Sequence, residues 1–196
     1  MKKYLLHIIC SLLSVACYAQ VVHLEEKFTE VPVIDGKVTF LKEIPLKASL
    51  SKDANYKIMK DWAIVNYGKD PFISSLRHDT KNKEFIAKSR IELLLPVNSK
   101  GVQEKMVMRY RINGFIFQDK CVLEITEISY MYENANKNKL LPRVIRAEDF
   151  ITDAAIAIDD EVKEYKENTR KSSLFFLNEI SEDFEKQFGY QKSNDN

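Results

Sequence analysis

Glycine is scarce in this chain, five residues in 196, and the scarcity excludes whole classes of chemistry. No glycine-rich stretch is present to wrap a phosphate in backbone N–H groups, and few tight turns remain from which to build an oxyanion hole. Cysteine is nearly as limiting. Two of the three, Cys10 and Cys17, lie in an N-terminal segment of their own, so Cys121 stands alone and no internal disulfide can form once that segment is removed. Outside the same segment only His23 and His78 remain, neither with a partner at metal-ligand spacing. No metal and no cofactor is expected. A surplus of basic charge is missing too. Removing residues 1–19 takes two lysines and no acid from the 30 basic and 29 acidic side chains, leaving 28 against 29. That balance argues against general nucleic-acid binding, which needs a basic excess to displace counterions.

What the chain does have begins at its start. Lys2 and Lys3 precede an apolar run from Tyr4 to Val15, broken only by His7, Ser11 and Ser14. Cys17-Tyr18-Ala19 then places small residues three and one positions before a cut at Gln20. This is the layout of a secretory signal peptide, too short to remain as a membrane span. A lipid anchor at Cys17 is the competing reading, but Ser14 stands where a lipoprotein cleavage site prefers a leucine-like residue; cleavage after Ala19 fits better. The expected location is therefore periplasmic or cell-envelope associated, with no transmembrane helix in the mature chain.

Residues 20–36 read as a lead segment ending in an Asp35-Gly36 turn. Val38–Leu46 alternates as a first strand, with Val38, Phe40 and Ile44 on one side and Thr39 and Lys42 on the other. Ser51 offers an N-cap to a helix carrying Ile58, Met59, Trp62 and Ala63 on one face and closing at Gly68. Phe72–Leu76 is a short strand. Phe85–Leu95 and Met106–Ile112 alternate clearly, joined by a turn at Asn98–Gly101. Asn113-Gly114 fits either a tight turn or a bulge within a strand that resumes at Phe115, with Gln118–Lys120 as the second place to turn. Val122–Tyr132 is the last strand, and its shifting parity predicts a bulge near Thr126-Glu127. After a polar loop at 134–139 the period becomes helical. Phe150 to Tyr165 shares one face, and a second helix follows 168–172 with Leu174, Leu177, Ile180, Phe184 and Phe188 in register. Strands grouped between helices predict an α+β fold: an antiparallel sheet of about five strands, in β-α-β-β-β-β order, with helices on one face and two more helices at the C-terminus. The expected organisation is a signal peptide at 1–19, the lead at 20–36, an α+β domain at 37–133, a helical extension at 134–190 and a disordered tail at 191–196.

The stretches VTFLKEIPL, SKDANYKIMKDWAIVNYGK and IAKSRIELLL together resemble domain-of-unknown-function family 4468, a family of exported bacterial domains with a TBP-like fold. The likeness runs over about residues 38–132 and rests on a strand ending in Pro and Leu, the Ser-Lys-Asp cap, and a helix with Trp62 and Tyr67. It implies the TBP-like fold. The family brings no established activity and no catalytic residues, and a DNA-reading role does not travel with a fold.

Four sets of side chains compete for function. His78-Asp79 could form a carboxylate-oriented base, outweighed by an ordinary polar turn pair. Cys121, without a partner histidine, reads as a buried small hydrophobe. Asp159, Asp160, Glu161, Glu164 and Glu167 fit no calcium loop and read as a wet helical face. Lys88, Arg90, Arg109 and Arg111 are the strongest set, because alternation places all four on the outward side of strands expected to pair, as a basic stripe diluted by Glu92. Charge kept there for solubility is the plainer account. Ile91, Leu93, Met108 and Tyr110 could line an apolar pocket between sheet and helices. The expectation is a non-catalytic envelope protein that binds an envelope macromolecule or itself. A carrier of a small apolar ligand is the alternative, and a hydrolase a distant third.

Overall fold

A computed structural model describes residues 27–46, 49–131 and 144–189. The expected signal peptide, the Cys17 and Ala19 alternatives, the 134–139 loop and the 191–196 tail lie outside the described residues. The chain opens with a ribbon of two short strands, β1 (Val33–Ile34) and β2 (Lys37–Val38). Asp35 and Gly36 turn it with φ of 50° and 74°, the paired left-handed conformation that a two-residue hairpin loop requires. β3 (Phe40–Pro45) follows, then helix α1 (Lys52–Tyr67), then β4 (Ser74–Asp79), β5 (Glu84–Val97), β6 (Gln103–Ile116), β7 (Lys120–Met131) and β8 (Val144–Arg146). The main sheet has the order β3-β7-β6-β5-β4, with β8 beside the far end of β7, and every pair is antiparallel. This is the α+β class that the sequence predicts, enlarged by β8, whose three residues are too few for alternation to reveal.

α1 forms as its sequence dictates. Ser51 accepts a hydrogen bond from the Ala54 N–H at 3.1 Å, and the Gly68 N–H closes on the Ile64 carbonyl at 2.9 Å. The buried face presents Tyr56, Met59, Trp62, Ala63 and Tyr67. On β3 the expectation for Lys42 is corrected: period two puts it with Phe40 and Ile44, and it lies buried with its ammonium 3.1 Å from Glu185. The strand expected at Phe72–Leu76 begins instead at Ser74, because Asp70 holds Phe72 and Ser74 in a turn. Phe72 is left 87% exposed.

Asn113-Gly114 does not turn. β6 runs on to Ile116, and the chain reverses at 117–120, where the Phe117 N–H meets the Lys120 carbonyl at 2.8 Å. Gly114 is small for a different reason: the Phe85 ring lies against its Cα. The predicted bulge in β7 is present. Arg109 faces Ser129 while Arg111 faces Thr126, so Tyr110 opposes two residues, and Glu127 takes a φ of 51°.

The C-terminal segment departs from the expected pair of long helices. β8 leads into a 3₁₀ turn at Ala147–Asp149, a four-residue helix α2 (Asp153–Ile156), and one 25-residue helix α3 (Lys163–Gln187). Local side-chain bonds decide this. The Thr152 hydroxyl caps Ala155 and reaches back to Glu148, while the Asp160 carboxylate accepts from the Val162 N–H, so a continuous helix is interrupted twice. Thr169, by contrast, donates to the Tyr165 carbonyl within the helix and does not restart it.

α1 and α3 cover one face of the sheet. Trp62 packs edge-on against Tyr67 and Phe184, with ring centroids 5.7 and 4.6 Å away, and its indole N–H donates to Asp183 at 2.7 Å. Cys121 is fully buried in this core, its sulfur 3.8 Å from that of Met59, and burial raises its thiol pKa far above the usual range. Cys121 is accordingly expected to resist a thiol reagent such as DTNB in the folded protein and to react stoichiometrically in denaturant. Rapid labelling of the native protein would contradict that placement.

Candidate functional site

The face of the sheet away from the helices carries the charged side chains. Lys88 on β5 lies directly opposite Arg111 on β6, and Arg90 directly opposite Arg109. The second pair belongs to a longer row. Arg109 faces Ser129 on β7, and Ser129 faces Arg146 on β8, so Arg90, Arg109, Ser129 and Arg146 run across four strands in register. The antiparallel ladder thus brings the four basic residues of the sequence analysis together and adds Arg146. Sequence alternation does not reach Arg146, because β8 is only three residues long.

Compensation along this surface is uneven. Glu127, lifted by the bulge, accepts from Lys88 at 2.9 Å and from Arg111 at 2.8 Å. The two bonds, Lys88's foremost, hold its carboxyl below the usual carboxylate range. Arg111 also donates to Asn113 at 2.9 Å, and Arg146 pairs with Asp149 at 3.0 Å. Arg90 and Arg109 differ: among the described residues neither meets a carboxylate, and the Arg109 guanidinium reaches only the Met131 sulfur at 3.8 Å. Like charges directly opposite on paired strands cost stability, roughly 0.2–1 kcal/mol. An open groove of about 440 Å³ lies over them, with Phe72, Ile73, Ser74 and Ser75 among the residues lining it.

The other candidates are placed as follows. Met108 is fully buried, Leu93 and Tyr110 are buried, and Ile91 is half-buried. The Tyr110 ring packs against those of Tyr67 and Phe176, with centroids 6.4 and 5.6 Å away. Side chains fill this part of the sheet–helix interface. The apolar space beside Ile91 and Leu93 is a groove of about 510 Å³ at the sheet's edge, bounded by Phe175 and Phe176 of α3.

His78 and Asp79 are not brought together. Asp79 closes the β4–β5 turn, accepting from the Lys81 N–H and the Asn82 N–H and side-chain amide at 2.8–3.0 Å. His78 points the other way, its Nδ1 buried without a hydrogen-bond partner among the described residues, and desolvation, then Lys60, lowers its pKa below the ordinary 6.5. A depressed folded-state value means that His78 favours the folded state fully above 6.5 and loses that contribution as pH falls through the lowered value. A His78→Leu variant is therefore expected to lose part of the wild type's fall in melting temperature on mild acidification. Identical pH profiles would contradict this. The acids of the C-terminal segment are dispersed. Asp159 pairs with Lys163 and Asp160 with Lys166, while Glu164 accepts from both the N–H and the hydroxyl of Ser99.

No curated protein matches the chain. A family model described as "Domain of unknown function (DUF4468) with TBP-like fold" matches residues 40–131, the stretch from β3 to the end of β7. Two solved structures share the fold. One is the crystal structure of a TBP-like protein from Parabacteroides distasonis ATCC 8503, 22% identical, covering 83% of this chain and 99% of its own, with a TM-score of 0.69. The other is a DUF4468 family protein from Bacteroides ovatus ATCC 8483, 19% identical, covering 84% and 93%, with a TM-score of 0.66. The share of this chain that they cover is more than residues 1–131 alone could supply, so the likeness in fold extends into the C-terminal segment. From β3 to the end of β7 the chain is similar to the DUF4468 domain of unknown function, and its fold is the TBP-like one.

Proposed function

We propose that this protein is a non-catalytic docking module of the cell envelope whose exposed sheet face holds an anionic partner at Arg90 and Arg109. The observation that carries the reading is that these two arginines stand directly opposite each other on paired strands, with no carboxylate partner for either among the described residues. Elsewhere on the same face a carboxylate accompanies Lys88, Lys105, Arg111 and Arg146, while Arg77 on β4 has none among the described residues but faces Ile86 rather than another basic side chain. An arginine pair offers paired N–H donors suited to a carboxylate or phosphate. The export pattern of residues 1–19 supports the envelope location. Burial of Cys121 and the engagement of Asp79 in its turn support a role without covalent chemistry.

The test is thermal melting at low salt with polyglutamate, with sulfated dextran and with uncharged dextran. The polyanions are expected to raise the melting temperature of the wild type, with the effect fading as salt rises, and to have little effect on the Arg90→Ser/Arg109→Ser variant. Equal shifts in both proteins would overturn the reading. A carrier of a small apolar ligand is the second reading, favoured by the groove beside Ile91 and Leu93. Native mass spectrometry of protein purified from its own envelope separates the two, since a carrier would retain a lipid or metabolite.

A further inference from the structure

β5 is longer than the strand that flanks it. β4 pairs with it only from Glu84 to Ser89, and among the described residues no strand lies on that side from Arg90 to Val97. The direction of the free backbone groups follows from one bond. The Ser172 hydroxyl of α3 donates to the Leu94 carbonyl at 3.0 Å, which occupies that acceptor and shows that backbone groups of its parity point away from β6; Arg90 and Glu92 share the parity and carry the open groups. An unpaired edge of this kind is a template for another strand.

The surroundings of the edge differ on its two sides. On the outer face stand Arg90, then Glu92 held by Lys105 and the exposed Leu94, and, across the ladder from Arg90, Arg109. On the inner side the 510 Å³ groove is lined by Leu93, Leu95, Phe175 and Phe176, with Phe175 67% exposed. A strand laid along β5 alternates its side chains between these two environments. We infer that the open length of β5 receives an extended peptide segment of alternating acidic and apolar residues. Its acidic side chains face Arg90 and Arg109, and its apolar side chains enter the groove beside Phe175 and Phe176. The inference rests on the anion-docking reading and names the partner's class. Charge complementarity selects this occupant, because Arg90 and Arg109 have no carboxylate among the described residues while Glu92, the acid on the same edge, is already held by Lys105. A second copy paired about Ile91 would set its Glu92 opposite Arg90, and a dimer in place of peptide binding would overturn the inference.

The experiment is fluorescence anisotropy with four labelled peptides: alternating glutamate and valine; the same composition in two blocks; and the alternating peptide N-methylated at every second amide, in each of the two phases. The alternating peptide is expected to bind tightest. N-methylation in the edge-facing phase should weaken it about tenfold or more, through lost main-chain hydrogen bonds. A Phe175→Ser variant, altered at an exposed site, should fold normally and bind it several-fold more weakly. If all four peptides bind alike and all lose binding in Arg90→Ser/Arg109→Ser, strand addition is overturned while anion docking stands. If none binds and polyanions leave the melting temperature unmoved, both fall.

Discussion

A chain cut after Tyr165 is expected to lose cooperative folding altogether. α3 supplies Leu177 and Phe184 to the core, both fully buried, and Phe188 lies just beyond its end. It also supplies Ser173 to the buried Tyr130 hydroxyl at 2.8 Å and Asp183 to the Trp62 indole. Asn178 clamps Phe28 through bonds to both its N–H and its carbonyl, tying the lead segment to the same helix. Burying each large apolar side chain contributes about 1.5–3 kcal/mol, and a domain's whole net stability is about 5–15 kcal/mol. Removing the helix strips the sheet of a large part of its cover. The single substitution Phe184→Ala should cost about 3–5 kcal/mol on its own. Melting followed by far-UV circular dichroism checks both. A sharp, reversible transition in the shortened chain would mean that α3 is an accessory to a core complete without it.

The second large effect is expected at Gly114. A Cβ built there would lie 2.2 and 2.6 Å from two carbons of the Phe85 ring and 2.9 Å from the Met59 sulfur. Phe85 is fully buried and hemmed in by Trp62, with ring centroids 6.0 Å apart, so the ring has little room to yield. Gly114→Ala should destabilise by about 1–3 kcal/mol, the range for overpacking a filled core, and Gly114→Val by more. A Phe85→Leu background should reduce the penalty, because the clash is with that ring. Denaturant unfolding of the four proteins in the cycle gives the coupling directly. A Gly114→Ala variant within about 0.5 kcal/mol of wild type, the scatter of surface changes, would remove the close approach from the account.

Much of this fold was legible in the sequence because its signals are local. The Ser51 cap, the Asp35-Gly36 turn and the alternation of β5 and β6 each depend on a few neighbouring residues and a fixed period. Even the β7 bulge showed itself, as a change of parity across Thr126-Glu127. What escaped depends on distant partners or on competition. β8 is three residues long and exists by pairing with Ser129–Met131. The break between α2 and α3 is set by Thr152 and Asp160, whose side chains compete with the helix for backbone groups. At the candidate site, alternation placed Lys88, Arg90, Arg109 and Arg111 on one side. Only the register revealed which of them face each other, that Glu127 engages two of them, and that Arg146 extends the row. Phe72 could not have been placed beside the arginines from sequence, since the turn that exposes it is built by Asp70.

In the proposed docking role, Arg90 and Arg109 oppose each other at a cost to stability and serve an anion that neither the sheet nor the helices provide. A double-mutant cycle measures this directly. Arg90→Ser, Arg109→Ser and the double variant are unfolded in urea at low salt, without polyanion, and again at high salt. The account predicts a repulsive coupling of about 0.2–1 kcal/mol at low salt, with each single variant at least as stable as the pairwise repulsion relieved would make it, and a coupling that shrinks when salt is added. A favourable coupling between the two arginines, insensitive to salt, would show that they hold the sheet together and would contradict the assignment of this face to a partner.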